Sequence, residues 1–305
     1  MNITILILGL PRSGTTFIAE VLGWTTNTQL ILEPDNEKTS FLARKFKNKI
    51  SRFPTDHESE NDLSYQKLWT LASSSSLSPI LSRGLLTKIL LGKDVEISIA
   101  KKEQQPHKSN SKGTLVSFIF NLFPSNKTLV LKSVHAVLNA EWLVSYLKPD
   151  KIIIPTRHPL AILASWRRMK MPDSLRRADE AVCWAQKHFN FSAQFDFTHP
   201  DIQRSCQFLW FEWSLSKLFG KENVIQVVHE EICVNIVSGF KKVYQHCGFD
   251  WTSSVEKKVL ELNKPGQGYS TKRLASAEAN KWKKDFDEKE TELLLNFFRE
   301  AGYNV

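Results

Sequence analysis

The chain has 305 residues, of which 42% are hydrophobic, so it can bury the core of one large α/β domain or of two small ones. Its 41 lysines and arginines outnumber its 32 aspartates and glutamates, and the resulting charge of +9 favours an anionic ligand. No apolar run reaches the ~18 residues of a membrane helix, and no cationic region precedes the N-terminal apolar run as it would in a secretory signal.

These features predict a cytoplasmic protein with no transmembrane segment. The cysteines form no C-x-x-C pair and lie in apolar surroundings, so we expect them to be buried free thiols in a reducing compartment. They are Cys183, Cys206, Cys233 and Cys247.

Apolar, β-branched segments alternate with segments of helical periodicity along most of the chain. Residues 3–8 predict a strand buried on both faces of a parallel sheet. Further strand signals lie at 28–32, 128–132, 151–156 and 223–228. Helical signals lie at 15–23, 136–147, 159–170, 175–190, 201–219, 236–246, 253–262 and 288–301. The alternation predicts an α/β, three-layer P-loop-type fold, whose central parallel sheet is flanked by helices and binds ligands at the carboxyl ends of its strands.

The region from residue 36 to residue 126 has a different pattern. It contains amphipathic segments with basic faces, most clearly at 39–53 and 80–91, and loops rich in serine and lysine. We interpret residues 1–305 as a single domain in which 36–126 is a mostly helical insertion that caps the sheet.

The segment GLPRSGTT, residues 9–16, follows the first predicted strand. Gly9, Gly14 and Thr16 keep the frame of a phosphate loop, G-x-x-x-x-G-K-[ST], but Thr15 stands at the lysine position and the nearest cation is Arg12. Backbone N–H groups of such a loop converge on an anion at a helix N-terminus. The missing lysine argues against a Mg-ATP site.

A second strand-to-helix junction, in the segment IIIPTRHPLAILASWRRM, has a similar arrangement. Arg157 ends the strand, and Ser165 and Arg168 share one helix face with small alanines. Arginine can bind phosphate through two parallel hydrogen bonds. The sequence therefore predicts a second anion site near the first.

Together, the 9–16 loop and the Arg157/Ser165 pair resemble the two donor-binding motifs of the sulfotransferase family. Lys132, which precedes Arg157 by 25 residues, extends the resemblance, as does VVHEEI, which has His229 at the usual tyrosine. Residues 260–284 are similar to a donor-closing loop of the tyrosylprotein branch. The resemblance implies 3′-phosphoadenosine 5′-phosphosulfate (PAPS) as co-substrate, no metal, and in-line transfer of a sulfuryl group to a hydroxyl or amine.

The resemblance also implies roles for particular residues. Arg12 would stabilise the leaving phosphate, and Lys132 would support the sulfonyl oxygens. The 5′-phosphate would be bound by Ser13, Gly14, Thr15 and Thr16, and the 3′-phosphate by Arg157 and Ser165. A C-terminal set would close over the donor, with Trp282 as a packing anchor; it comprises Ser270, Thr271, Lys272, Arg273 and Lys281.

Two residues compete for the role of general base. Glu33 ends the second predicted strand and matches the catalytic glutamate of tyrosylprotein and carbohydrate sulfotransferases, and cationic surroundings favour its carboxylate form. His135 is the rival, because cytosolic sulfotransferases use a histidine two residues after the corresponding lysine, whereas His135 follows Lys132 by three. We favour Glu33.

Other functions compatible with the sequence are a P-loop kinase or NTPase acting with Mg-ATP and a basic protein that binds nucleic acid or membrane. The sequence lacks nucleic-acid motifs with interleaved aromatic residues, so we expect no nucleic-acid partner. The acceptor is left open among a glycan, a lipid, a phenol and a peptide, and so is the oligomeric state.

Overall fold

The computed structural model of the protein describes residues 3–25, 28–47, 49–74, 128–169, 177–263 and 280–303. Within these residues five strands form one parallel sheet in the order β2-β3-β1-β4-β5. The strands are β1 (Thr4–Leu8), β2 (Thr28–Leu32), β3 (Thr128–Ser133), β4 (Lys151–Thr156) and β5 (Val224–Val228). The predicted α/β fold with a central parallel sheet is confirmed.

Helices cover both faces of this sheet. Before β3 they are α1 (Thr15–Leu22), α2 (Phe41–Phe46), α3 (Asp56–Asn61) and α4 (Leu63–Ser73). Between β3 and β5 they are α5 (Ala140–Leu147), α6 (Pro159–Arg168), α7 (Ala178–His188) and α8 (Pro200–Ser216). After β5 they are α9 (His229–Val234), α10 (Ile236–Cys247), α11 (Ser253–Leu262), a 3-10 turn (Lys281–Lys284) and α12 (Glu288–Glu300).

Alternating strand residues divide the core into two layers. In β1, Leu6 and Leu8 point to one side, where they meet buried residues of α4 to α8 and α12, whereas Ile5 and Ile7 meet α1, α10 and α11 on the other. All four side chains are fully buried. Because both faces are covered, the strand is apolar throughout instead of alternating with polar residues.

The structure corrects several local expectations. The predicted helix 39–53 is α2 alone, because the chain folds back after Phe46 around the buried ammonium group of Lys47, which donates to the carbonyl groups of Asp35 and Arg52 at 2.9 and 2.7 Å. Helix α9 was not predicted. Cys183 is exposed, against the expectation of four buried thiols.

Residues 36–74 of the predicted insertion contain α2, α3 and α4. The predicted helix 80–91 lies outside the described residues, and the single-domain interpretation of 1–305 remains a prediction. Among the helices that the structure describes, none combines the length and the apolar character needed to cross a membrane.

The packing of the core layer formed by α1, α10 and α11 can be tested by a substitution at Phe240. Its fully buried ring packs edge-to-face on Phe17 at a centroid distance of 5.0 Å. We expect Phe240→Ala to lower the free energy of unfolding by about 3–5 kcal/mol, through lost burial and a residual cavity. Urea denaturation would measure this. Leu260→Ala, at a half-exposed position of α11, is the control and should change it by less than ~0.5 kcal/mol; equal effects would contradict the assigned core.

Candidate active site

The residues that follow the five parallel strands lie along one edge of the sheet. In spatial order they are Glu33 after β2, Lys132 near the end of β3, the 9–14 loop after β1, Arg157 after β4 and His229 after β5. The loop is central because β1 lies between β3 and β4, where the strand order reverses direction. The structure thus brings together predicted residues that are far apart in the sequence.

The loop after β1 has the backbone geometry of an anion-binding turn. Arg12 and Gly14 both have positive φ, at 77° and 101°, and Ser13 N–H donates to the carbonyl of Leu10 at 3.1 Å. A side chain on Gly9 would clash, because its Cβ would lie 2.7 Å from Thr15 Cγ2. The buried Ser13 hydroxyl has no partner among the described residues, so it is available to donate to a ligand.

Helix α6 is bonded directly to this loop. Arg12 Nε donates to Ser165 Oγ at 2.9 Å, and Trp166 Nε1 donates to the carbonyl of Pro11 at 2.9 Å. Arg157 Nη1 donates to the carbonyl of Arg12 at 3.1 Å. Direct hydrogen bonds therefore join the two predicted anion sites. Arg168 does not join them, because its guanidinium pairs with Asp285.

His229 contacts the loop from the β5 side. A Cβ on Gly14 would lie 3.1 Å from its Cδ2 atom, so the imidazole occupies the space beside the second loop glycine. Its Nδ1 lies 3.5 Å from Cys233 Sγ. Burial and the neighbouring Arg157 lower the pKa of His229 to about 3, which makes it a neutral neighbour of the predicted anion site.

The C-terminal segment reaches the same edge through Trp282. Its buried indole stacks on His158 with ring centroids 4.8 Å apart, immediately after Arg157. This contact agrees with the packing role predicted for Trp282. Lys281 is exposed. The other predicted closing residues, Ser270, Thr271, Lys272 and Arg273, lie outside the described residues.

On the opposite side of the loop, Glu33 and Lys132 form an ion pair. Lys132 Nζ donates to Glu33 Oε1, and the Val134 N–H lies 3.3 Å from Oε2. Glu33 is a non-glycine residue at positive φ, 50°, and its N–H donates to the carbonyl of Lys132 at 2.8 Å. Only 4% of the Lys132 side chain is exposed, against 16% of Glu33. The backbone at Glu33 is thus strained. Its carboxylate is held by Lys132 and Val134 in a position that solvent can still reach.

A buried hydrogen-bond network supports this pair. The Ser133 hydroxyl lies 2.8 and 2.9 Å from the two carboxylate oxygens of Asp35, and it accepts the N–H of His135 at 3.0 Å and that of Ala136 at 3.2 Å. The Ser133 hydroxyl thereby connects the end of β3 to the segment after β2 through hydrogen bonds. Burial raises the pKa of the Asp35 carboxyl to about 6, although the nearby Lys47 opposes this change.

His135, the rival base, is buried beside Glu33. Arg52 Nη2 lies 3.2 Å from its Nε2, and its Nδ1 lies 3.8 Å from Glu33 Oε2. Since a guanidinium group only donates, Nε2 accepts and we assign the proton to Nδ1. Burial, with the charges of Lys47, Arg52 and Lys132, holds the pKa of His135 well below its usual range.

The sequence interpretation missed Asp35, Ser133 and Arg52. Asp35 and Ser133 could have been considered, since they flank predicted site residues at two strand ends. Arg52 gave no such signal, because 83 residues separate it from His135 in the chain.

Glu33, Asp35 and His135 also bring potential metal-ligand atoms within 4.8 Å of one another. The described cations already contact two of these groups: Lys132 donates to Glu33, and Arg52 donates to His135. A metal ion bound to this cluster would have to displace these cations or lie next to them, so the cluster is poorly suited to bind a metal ion. Transfer without a metal remains our prediction.

Comparisons with known proteins were consistent with one family. A family model described as "Sulfotransferase family" matches residues 4–253. The sulfotransferase domain from the curacin biosynthetic pathway shares the fold, with a TM-score of 0.51, 13% identity and coverage of 100% of this chain and 99% of that one. The sulfotransferase domain from the Synechococcus PCC 7002 olefin synthase has a TM-score of 0.47, 15% identity and coverage of 100% and 96%. No curated protein matches the chain.

The buried Asp35 predicts a pH dependence of stability. Its folded-state pKa of about 6 lies above its ordinary value of 3.8, so the folded state binds the Asp35 proton more tightly than the unfolded state does. The stabilisation of the fold by this bound proton is fully present below pH 3.8 and is lost as the pH rises through 6. The free energy of unfolding of the wild type should therefore fall, relative to that of Asp35→Asn, by up to about 3 kcal/mol between about pH 4 and pH 7. Urea denaturation of both proteins across this range measures the difference. A constant difference would contradict the raised pKa.

Proposed function

Because the chain belongs to the sulfotransferase family, we propose that it transfers the sulfuryl group of PAPS to a hydroxyl or amine of an acceptor. The proposal depends on one observation, which is the spatial order of groups along the sheet edge. Glu33 and Lys132 lie on one side of the central loop, and Arg157 and Ser165 lie on the other. A donor bound across the loop would place its 3′-phosphate near Arg157 and its sulfuryl group toward Lys132.

The central loop is the proposed 5′-phosphate site. Backbone N–H groups of residues 14–16 at the start of α1 attract an anion, and the helix dipole adds to that attraction. The hydroxyl groups of Ser13, Thr15 and Thr16 supply further donors. On the other side, Arg157 and Ser165 would bind the 3′-phosphate. Lysine at the loop position that Thr15 occupies is not required, because PAPS has no γ-phosphate to neutralise.

The reaction then proceeds by in-line displacement at sulfur. The acceptor oxygen or nitrogen forms a bond to sulfur while the bond from sulfur to the bridging phosphate oxygen breaks, and 3′-phosphoadenosine 5′-phosphate (PAP) leaves. Negative charge grows on that bridging oxygen, where Arg12 would stabilise it, and Lys132 would stabilise the sulfonyl oxygens. Arg12 is permanently charged, so it acts as an electrostatic group and not as a proton donor.

Glu33 is the proposed general base that takes the acceptor proton. Its carboxylate is partly exposed and held in place by Lys132 and the Val134 N–H. His135 is less suitable, since its Nε2 lone pair faces Arg52 and its Nδ1–H faces Glu33. A neutral imidazole in that orientation has no lone pair directed at an acceptor.

The donor assignment can be tested at Arg157. In buffer with EDTA, we expect the wild type to bind PAP, and Arg157→Gln to bind it about 10- to 100-fold more weakly, because a charged hydrogen bond to the 3′-phosphate is lost. AMP, which lacks that phosphate, should bind both proteins equally. Isothermal titration calorimetry gives these affinities.

Arg168→Gln is the matched control, because the Arg168 guanidinium pairs with Asp285, and it should leave PAP affinity unchanged. Binding of ATP only in the presence of Mg²⁺, with no affinity for PAP, would instead support a P-loop kinase or NTPase. Equal loss of AMP and PAP affinity in Arg157→Gln would contradict the 3′-phosphate role.

The base assignment can be tested at Glu33. We expect Glu33→Gln to lower turnover by at least about 100-fold, because the neutral amide cannot take the acceptor proton, while PAP affinity stays within about threefold. The assay follows transfer from radiolabelled PAPS to a panel of phenol, glycan, lipid and peptide acceptors. Near-normal turnover in Glu33→Gln, together with an inactive His135→Ala, would assign the base to His135.

A further inference from the structure

Arg52 is a cation beside the proposed base that the reaction described above does not use. It lies in the segment between α2 and α3, and its Nη2 donates to His135 Nε2 at 3.2 Å. The opposite nitrogen of that imidazole, Nδ1, lies 3.8 Å from Glu33 Oε2. Arg52 and Glu33 are therefore separated by the width of one ring. Arg52 is also partly exposed, so a ligand can reach it.

Arg52 differs from the other cations near Glu33 in the partners that it contacts. The charges of three cations act on His135, namely Lys47, Arg52 and Lys132. Lys132 pairs with Glu33, and Lys47 lies 3.2 Å from Glu37. Among the described residues, Arg52 makes no ion pair with a carboxylate, and its hydrogen-bond partner is a neutral imidazole.

The guanidinium group of Arg52 has hydrogen-bonding capacity that the described residues do not use. The Nε atom of Arg52 is buried and has no hydrogen-bond partner among the described residues. Leaving such a donor unsatisfied costs free energy. Guanidinium groups stay charged and present several N–H donors in a plane, a geometry that matches the oxygens of a carboxylate.

We propose that Arg52 binds a carboxylate of the acceptor, one ring-width from the hydroxyl that Glu33 deprotonates. The proposal rests on the sulfotransferase function proposed above and narrows its acceptor to a hydroxylated acid. His135 then acts as the spacer between the two sites: it holds the guanidinium through Nε2 and directs Nδ1 toward the base. A phenol with a carboxylate in the para position likewise separates its two groups by one ring.

Two small probes test this proposal on the full chain saturated with PAP. 4-Hydroxybenzoate carries the carboxylate, and 4-hydroxybenzamide has the same shape without the charge. By calorimetry, we expect the wild type to bind the benzoate at least about tenfold more tightly than the benzamide. Arg52→Gln, which keeps a donor for His135 but removes the charge, should bind both probes equally.

Arg44→Gln is the matched control, because Arg44 is an exposed arginine on the adjacent helix α2, and it should keep the wild-type preference. PAP affinity and thermal unfolding of each variant verify that it folds. The comparison of the two probes on the wild type tests the proposal even if a variant is unstable.

Three results would overturn the carboxylate site while leaving PAP binding intact: equal affinities of the two probes for the wild type, no binding of 4-hydroxybenzoate, or an unchanged preference in Arg52→Gln. Failure of the wild type to bind PAP would overturn the proposed function itself, and the acceptor proposal with it. The PAP titration therefore separates the two failures.

Discussion

Parallel pairing of five strands is the constraint on which the rest of the molecule depends. Parallel strands end at the same edge of a sheet, so the segments after β1 to β5 meet there although they span residues 9 to 229. The strands can be parallel because helices cover both faces and bury the apolar side chains of the central strands β1, β3 and β4. The apolar core therefore determines where the polar chemistry lies.

Several locally unfavourable features lie at that edge. Arg12 and Glu33 are non-glycine residues at positive φ, Ser13 has a buried hydroxyl without a partner in the described structure, and Lys132 and Asp35 are charged groups removed from solvent. Each of these features costs free energy in the absence of a ligand. The buried layers on either side of the sheet offset the cost, and the result is a site whose groups are already in place before a ligand binds.

The proposed acceptor side differs from the proposed donor side in how it is assembled. Donor-side groups come from strand ends and the helices that follow them, whereas Arg52 comes from a segment that folds around the buried Lys47 ammonium. The acceptor-side cation is thus positioned by side-chain packing outside the sheet. Such a region can vary between related enzymes without disturbing the sheet edge, which is consistent with low sequence identity among proteins that share this fold.

The sequence by itself determined the strand positions, the glycine loop and the second strand-to-helix junction, because buried strands and tight turns require residue types that are visible locally. It also predicted an anion site at Arg157 and Ser165 from a local pattern, and site roles for Glu33 and Lys132 through a family resemblance; these roles remain predictions. Tertiary structure alone decided which groups touch: that Arg12 bonds Ser165, that Arg168 pairs with Asp285, and that Arg52 faces His135. These contacts join residues more than 80 positions apart, and their partners are chosen by packing and burial, which no local pattern encodes.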